Sequence, residues 1–487
     1  MSHECKRCRR FCRVGFIVLI IAGIYLWIRF HRDRPVDYAS AEDHFKYGST
    51  GGERDAGIPV ALWNILPDLF GKYLPGPGLA SLGFLYETNH SFPIGVSERN
   101  VQGVDRVFLN CAVCHAGTVR DTPSGPHRII VGMPANNMDL QSFERFLFAC
   151  SRDENFNPQR LTDEIAHRKT DDWLNRALFR YLAIDIARQR LITLAQRFQF
   201  MDREPDTGPG RVDTFNSPKV LLNFRMEALP TNEWVGNCDF PSIWNQAKRQ
   251  GMWLHWDGNN DSVDERNLSA SFGTGALPPT IDTNSLARMK AFIWTNTPPP
   301  WPYAIDQAKA GRGETIYAEY CARCHGKSGS DFTGEFVGKV TPIEKISTDR
   351  HRLDSYTEEL CVNQNLLYSA YPEQRFKHFR KTFGYANQPL DGLWLRGPYL
   401  HNGSVPTLRE LLEPAANRRA EFYRGYDVID HARVGFISDV SEEDGHKYFF
   451  YDTRLPGNGN FGHEGEEYGT NLSAQDKDAV VEYLKTF

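Results

Sequence analysis

Two five-residue motifs dominate the chemistry open to this chain. Cys111-Ala112-Val113-Cys114-His115 and Cys321-Ala322-Arg323-Cys324-His325 both read C-x-x-C-H, the attachment signature of a c-type haem. Two cysteines three apart on one helical turn present their sulfurs to one side, where they form thioethers to the porphyrin, and the histidine that follows offers an imidazole to the iron. Structural zinc pairs do not require a histidine after each second cysteine. The spacing therefore predicts two covalently attached c-type haems with their iron, one on Cys111, Cys114 and His115, the other on Cys321, Cys324 and His325.

Each iron has a sixth position, and its occupant separates an electron relay from a reactive centre. The seven methionines are Met1, Met133, Met138, Met201, Met226, Met252 and Met289, so none follows Cys324 and the second haem has no methionine ligand in its own part of the chain. A histidine is expected instead, from among His351, His378, His401, His431, His446 and His463. His401 is favoured, because Pro398, Asn402, Gly403 and Pro406 stiffen its loop just before a helix opening at Thr407. For the first haem, Met133, Met138, His90, His127 and His255 are candidate sixth ligands. Trp244, Trp253, His255, Trp256 and Phe272 are candidates for its distal wall or for the gap between the haems, with Trp256 as an electron relay. His351, flanked by Arg350 and Arg352, is expected near haem propionates. Asp257 and the neighbouring asparagines are candidates for a bound Ca2+ ion, although no 12-residue calcium loop accompanies them.

The elements that position these groups are legible in outline. The chain has 487 residues, 41% hydrophobic, which allows two or three domains with ample core. A net charge of −5 leaves no basic surplus for a phosphate backbone, so nucleic-acid binding is excluded. Val14 to Ile28 is uncharged and apolar, preceded by Lys6, Arg7, Arg9, Arg10 and Arg13 and followed by Arg29, Arg32 and Arg34. It reads as a signal anchor with residues 1–13 in the cytoplasm, a transmembrane segment at 14–30 and the haem domains outside, in the periplasm of an inner-membrane protein. The alternatives are a signal peptide cleaved near Ala39-Ser40-Ala41 and a buried helix. Cys5, Cys8 and Cys12 read as reduced thiols or a lipidation site; Cys150, Cys238 and Cys361 allow one disulfide at most.

From about Arg160 to Met201 apolar residues recur at helical spacing, among them Leu174, Leu178, Leu182 and Ile186. Thr297-Pro298-Pro299-Pro300-Trp301-Pro302 marks the boundary between an N-terminal haem domain (45–297) and a C-terminal one (303–487). In the latter, Ala308 to Tyr320 predicts a helix running into Cys321, and Ser473-Ala474-Gln475-Asp476 a capping box opening a final helix over Lys477 to Phe487. A helix into C-x-x-C-H, loops and a closing helix resemble a class I cytochrome c domain. Few period-2 runs appear, so the chain is expected to be mainly α with long ordered loops.

The stretch Arg396-Gly397-Pro398-Tyr399-Leu400-His401-Asn402-Gly403-Ser404 resembles a loop of the dihaem bacterial cytochrome c peroxidases and the methylamine-utilisation-type enzymes. The segments Asn110 to Thr118, His255-Trp256-Asp257-Gly258-Asn259-Asn260, Glu265-Arg266-Asn267-Leu268-Ser269 and Asp349 to Leu353 look like the subgroup containing the dihaem rubber oxygenases. The resemblance covers roughly residues 55–487. It implies a bis-histidine C-terminal haem on His325 and His401, and an N-terminal haem with His115 as proximal ligand and its other side open to dioxygen. The chain departs from the rubber oxygenases in its anchor and smaller size, and from typical cytochrome c peroxidases in lacking a C-terminal methionine ligand.

The leading expectation is thus a membrane-anchored dihaem oxidoreductase that reacts peroxide or dioxygen at the first haem, with His115, His255 and Trp256 as its catalytic candidates. The second haem relays electrons to or from a redox protein at the membrane. The alternative is a pure electron carrier with both haems six-coordinate. A gas or redox sensor would need a signalling domain that about 13 cytoplasmic residues cannot supply.

Overall fold

The computed structural model describes residues 3–168, 172–367 and 370–487. Helix makes up 44% of it, and among the described residues six small antiparallel sheets of two to four strands add more extended structure than the few period-2 runs suggested.

One helix spans His3–Phe30, so the basic tail continues the anchor's helix rather than preceding it. Its segment Phe11–Phe30 is long and apolar enough to cross a membrane, and none of it is buried by the rest of the protein. The side chains of Cys5 and Cys8 lie outside the described residues. Two residues beyond the helix, Asp33–Pro35 becomes the edge strand of a four-stranded sheet, antiparallel to Val96–Val101. That strand turns through Gln102 and Gly103 into Val104–Leu109. Both turn residues have positive φ, 56° and 77°, the hairpin geometry whose twist matches that of its strands. Ile58–Pro59 completes the sheet, and its strand Val104–Leu109 delivers the chain into Asn110 and the first motif.

Below the sheet lies a large aromatic core. Helices Val60–Leu69 and Leu140–Arg152 bring Trp63, Phe143 and Phe146 against Phe84 and Val113. The tract expected from Arg160 to Met201 is helical but broken into Pro158–Arg168, Trp173–Leu178, a π-turn at Phe179–Ala183 and Ile184–Arg197. Leu178 packs on the core, whereas Leu182 and Ile186 face outward, 52% and 45% exposed.

The proline-rich segment is packed. Trp394 donates its ring N–H to the Pro299 carbonyl (3.0 Å), Trp301 meets Trp394 edge to face at 5.5 Å, and Gly392, at φ 63°, leaves room for the Pro298 ring. Trp244, Met133 and Val119 share one apolar cluster with Tyr317, Leu395 and Val480 from beyond it; Phe215 and Phe272 share another with Tyr356 and Phe376.

In the C-terminal part the helix Gln307–Tyr320 runs directly into Cys321, as the sequence predicts, and Ala322–His325 forms a short helix of its own. The closing helix begins earlier than expected, at Ala474, and ends at Leu484; Ser473 caps it by accepting from the Asp476 N–H at 3.2 Å. The two long helices cross at Gly313, where a Cβ would stand 1.9 Å from the Ala479 carbonyl oxygen. Beside the crossing, Tyr317 packs on Tyr483 and Phe487 with ring centroids 5.4 and 5.1 Å apart.

This crossing has a direct test. Gly313→Val forces the helices apart and is expected to lower unfolding free energy by roughly 1–3 kcal/mol. Gly311→Ala, two residues away with nothing within 4 Å of its added Cβ, is expected to be neutral or stabilising by up to about 1 kcal/mol. Chemical denaturation of the two variants, followed by circular dichroism, reads both.

Candidate functional site

The first motif is set by Asn110, which is fully buried. Its Oδ1 accepts from the Ala112 N–H at 2.9 Å, while its Nδ2 donates to the carbonyls of Lys46 and Gly48 at 3.2 and 2.9 Å. Cys111–Val113 coils as a single 3-10 turn. The His115 Nδ1 lies 2.9 Å from the Pro241 carbonyl. A carbonyl only accepts, so Nδ1 carries the proton and Nε2 is the nitrogen with the free lone pair. Burial, helped by the nearby Arg266 guanidinium, pushes the His115 pKa down to about 3 and keeps the imidazole neutral.

The second motif repeats the device with a different carbonyl. His325 Nδ1 donates to the Gln388 carbonyl at 2.8 Å, which again leaves Nε2 free. The ring that faces it is His463, with centroids 6.3 Å apart and planes at 45°. Two imidazoles binding one metal from opposite sides, each at ~2.0 Å through nitrogen, have centroids about 6 Å apart. The pair fits a single iron between them. The His463 Nδ1 is buried with no hydrogen-bond partner, and burial beside His325 pushes the ring's pKa down to about 3. The loop reaches this position through Gly462, at φ 77° and against the backbone of Ser347 and Thr348, and through His463 itself at φ 48°.

His401, favoured from sequence as the partner of His325, stands elsewhere. Its ring stacks on Tyr385 at 4.1 Å, with Nε2 3.1 Å from the Tyr385 hydroxyl. That hydroxyl gives its proton to the Asp349 carbonyl at 2.8 Å, so the imidazole N–H donates to the phenol oxygen. The reason is local. Leu400 adopts φ 67°, and Gly403, at φ 64°, fits under Arg424 and Asp239, where a Cβ would come within 2.2 Å of both. The loop is rigid, as expected, but its rigidity serves Asp239: this residue takes an N–H bond from Arg424 (2.9 Å), and its own N–H donates to the His401 carbonyl at 2.9 Å.

His255 and Trp256 contact the segments that support both motifs. The Trp256 ring N–H donates to the Asp239 carbonyl at 2.8 Å, two residues from the carbonyl that holds His115. The His255 carbonyl accepts from Gln388 Nε2 at 3.3 Å, so the residue that orients His325 also contacts this segment. The His255 ring donates from Nδ1 to Asn259 at 2.6 Å, and burial pushes its pKa down to about 4.

Other candidates fall into ordinary roles. Trp244 and Met133 are fully buried core, Met138 and Phe272 are core, His90 stacks on Tyr47 at 3.9 Å, and His127 bonds Asp427 at the surface. Trp253 lies under the Arg380 guanidinium at 4.5 Å. The cations around His351 are already matched, Arg350 with Asp354 at 2.7 Å and Arg352 with the fully buried Asp257 at 2.9 Å, while His351 pairs with Asp349 at 2.8 Å. Asp257 thus faces a guanidinium where a Ca2+ ion was expected, and among the described residues no three His, Cys, Asp or Glu side chains gather as round a bare metal ion. Cys150, Cys238 and Cys361 are buried and unpaired.

A cluster absent from the sequence reading supplies the missing anion partners. Arg249 and Arg396 both bond the buried Asp391, and burial, helped by the nearby Arg249 guanidinium, pulls the Arg266 pKa down to about 10. Arg249 Nη1, Arg266 Nε and Arg396 Nε are buried donors with no partner. Arg266 acts electrostatically on Cys111, His115 and His255, and Arg396 acts on His325. Three guanidiniums against one carboxylate, with orphaned N–H groups beside both motifs, fit the propionates of haem. The only signal in the sequence is that Arg266 and Arg396 fall within the segments that carry the resemblance.

Comparison with known proteins points the same way. Residues 384–424, which include Tyr385, Gln388, Asp391, Arg396 and His401, match a family described as RoxA-like, cytochrome c-like. The chain is 30% identical over 285 residues to uncharacterized protein y4iM of Sinorhizobium fredii (strain NBRC 101917 / NGR234), a match over 51% of this chain that spans 64% of y4iM. It is 25% identical to uncharacterized protein y4iJ of the same strain over 609 aligned residues, 99% of this chain and all of y4iJ. The C-terminal part therefore carries a cytochrome c-like segment related to rubber-oxygenase-like cytochromes, and its character implies covalently bound haem c.

The glycine under Arg424 gives a test of the loop. Gly403→Ala meets both Arg424 and Asp239 and also strains a left-handed residue, so a loss of roughly 1–3 kcal/mol in urea unfolding is expected; an unchanged midpoint would mean that the loop has room to spare.

Proposed function

We propose that the chain is an exported, membrane-anchored dihaem c-type cytochrome acting as a haem-dependent oxidoreductase of the cytochrome c peroxidase type. Peroxide or dioxygen reacts at the haem of the N-terminal domain (45–297), and the haem of the C-terminal domain (303–487) relays electrons to or from a redox protein at the inner membrane, on its periplasmic side. The bound haems supply the one-electron and oxidant chemistry.

The chain's own residues orient and enclose these groups. Pro241 and Gln388 hold the Nδ1 protons of His115 and His325. Arg249, Arg266 and Arg396 receive propionates. Trp256, tied to Asp239, fills the space between the motifs as a relay, and His255, kept neutral by burial, lines the first site.

One observation carries the reading: the two motifs are unequal. His325 faces His463 across 6.3 Å, so these two rings would hold one haem iron together, whereas among the described residues no imidazole ring stands opposite His115 in that way. His115 would hold the first haem, which would supply the reaction with peroxide or dioxygen. His463, rather than His401, would hold the second haem together with His325 in this proposal.

Visible and electron paramagnetic resonance spectra of the full haem-loaded chain test both points. One low-spin haem beside one high-spin or dioxygen-bound haem is expected, with His463→Ala converting the low-spin signal to high-spin and His401→Ala leaving it low-spin. Two low-spin haems that ignore peroxide and dioxygen would leave a pure electron carrier.

A further inference from the structure

The helical run from Trp173 to Arg197 carries apolar groups that the fold does not use. Trp173 is 73% exposed and Tyr181 77%, and Leu182 and Ile186, one helical turn apart, are exposed as well. Behind them Phe179 and Ile184 are fully buried and Leu178 and Leu191 pack on the core that also holds Val113 and Cys114. The run is anchored on one side and apolar on the other. Its π-turn at Phe179–Ala183 falls where Tyr181 and Leu182 project, and single π-turns of this kind recur at functional positions.

What this face meets is argued from where it begins. The anchor helix ends at Phe30, and Arg29 in its last turn reaches Asp172 at 3.2 Å, Asn175 at 2.5 Å and the Gly103 carbonyl at 3.3 Å. Asp172 is the residue that caps the helix opening at Trp173. The foot of the span is clamped to the start of the exposed face, with only His31 and Arg32 between the span and the edge strand Asp33–Pro35. A body tied this closely has no slack to lift away. At 1.5 Å per residue the face runs about 20 Å from Trp173 to Ile186, well within the footprint of the body over the bilayer. The charge agrees: Arg176, Arg180, Arg188, Arg190 and Arg197 stand against Asp185 alone within the run. Aromatic residues and arginines beside aliphatic ones are the composition of helices that lie in a membrane interface.

We infer that the run Trp173–Arg197 is a second membrane contact, lying in the headgroup region at the foot of the span with Trp173, Tyr181, Leu182 and Ile186 turned into lipid. It rests on reading Phe11–Phe30 as a retained span. Its consequence is a fixed orientation of the body, with the core cluster that holds Val113 and Cys114 of the first C-x-x-C-H motif turned toward the bilayer.

Nitroxide labels at Leu182→Cys and Ile186→Cys test this in the full haem-loaded chain with Cys5, Cys8 and Cys12 replaced by serine, in nanodiscs of phosphatidylethanolamine and phosphatidylglycerol. Ile20→Cys supplies a label within the span and Gln307→Cys, on an exposed helix start, an aqueous reference. Collision rates with oxygen and with a water-soluble nickel chelate are read for each, and an unchanged haem spectrum certifies the fold. The labels at 182 and 186 are expected to resemble that at 20, oxygen-accessible and shielded from nickel several-fold relative to 307. Nickel-accessible labels at 182 and 186 beside a shielded label at 20 overturn the inference and leave the span intact. Labels at 182 and 186 shielded from both reagents also overturn it, because a second protein copy then covers the face. A nickel-accessible label at 20 overturns the span itself and this inference with it.

Discussion

An imidazole offers Nε2 to a metal only while Nδ1 keeps its proton, and the proton stays there when a fixed acceptor holds it. Both motif histidines meet this condition with main-chain carbonyls from far along the chain, Pro241 for His115 across 126 residues and Gln388 for His325 across 63. Neither contact is local, so much of the fold is arranged to deliver two carbonyls. The strand Asn237–Asp239, paired with Arg211–Asp213, brings Pro241 under the first motif. Gln388 is reached from the strand Gly384–Ala386, whose Ala386 N–H donates to the Trp256 carbonyl at 2.8 Å. Trp256 and His255 then bind both deliveries, one through Asp239 and the other through Gln388. Moving either carbonyl disturbs the segment that supports the other.

The second constraint is charge. Arg249 and Arg396 share one carboxylate, Asp391, and the Arg266 guanidinium stands near Arg249. An unmatched buried cation costs several kcal/mol after relaxation, and guanidinium N–H groups without acceptors add to that. Such a cluster is stable when anions complete it, and its position between the motifs lets the carboxylates of a porphyrin do so. Binding and local folding are coupled at this point of the chain, in the sense that the groups that hold a ligand are the groups that suffer without it.

How much of this was legible in the sequence depended on the range of the contacts. The C-x-x-C-H motifs, the helix leading into Cys321, the Ser473 cap and the apolar span are encoded within a few residues each, and the structure has them where the sequence predicts, within three residues. The choice among six histidines was a question about long-range contacts, His463 lying 138 residues from His325, and stiffness was the only local guide. Stiffness at His401 turned out to reflect Gly403 packing under Arg424 and Asp239, while His463 reaches His325 from a glycine-rich stretch with no periodicity to read. The arginine cluster was hidden for the same reason, since its members lie at 249, 266 and 396. The stripe Leu174, Leu178, Leu182 and Ile186 shows the limit of periodicity itself: spacing reveals that a helix face is apolar, and only the fold decides whether that face meets core or something outside it.

The proline segment shows how composition and packing part company. Consecutive prolines make a stiff, extended chain, and such a chain acts as a free spacer only if nothing covers it. Here Trp301, Trp394 and Gly392 cover it, and two apolar clusters draw residues from both sides. Independent motion of two halves requires an interface that is small and polar, whereas this one contains buried tryptophans and the shared support of both motif histidines. The distance and angle between the two C-x-x-C-H motifs are therefore set by the core rather than by a hinge.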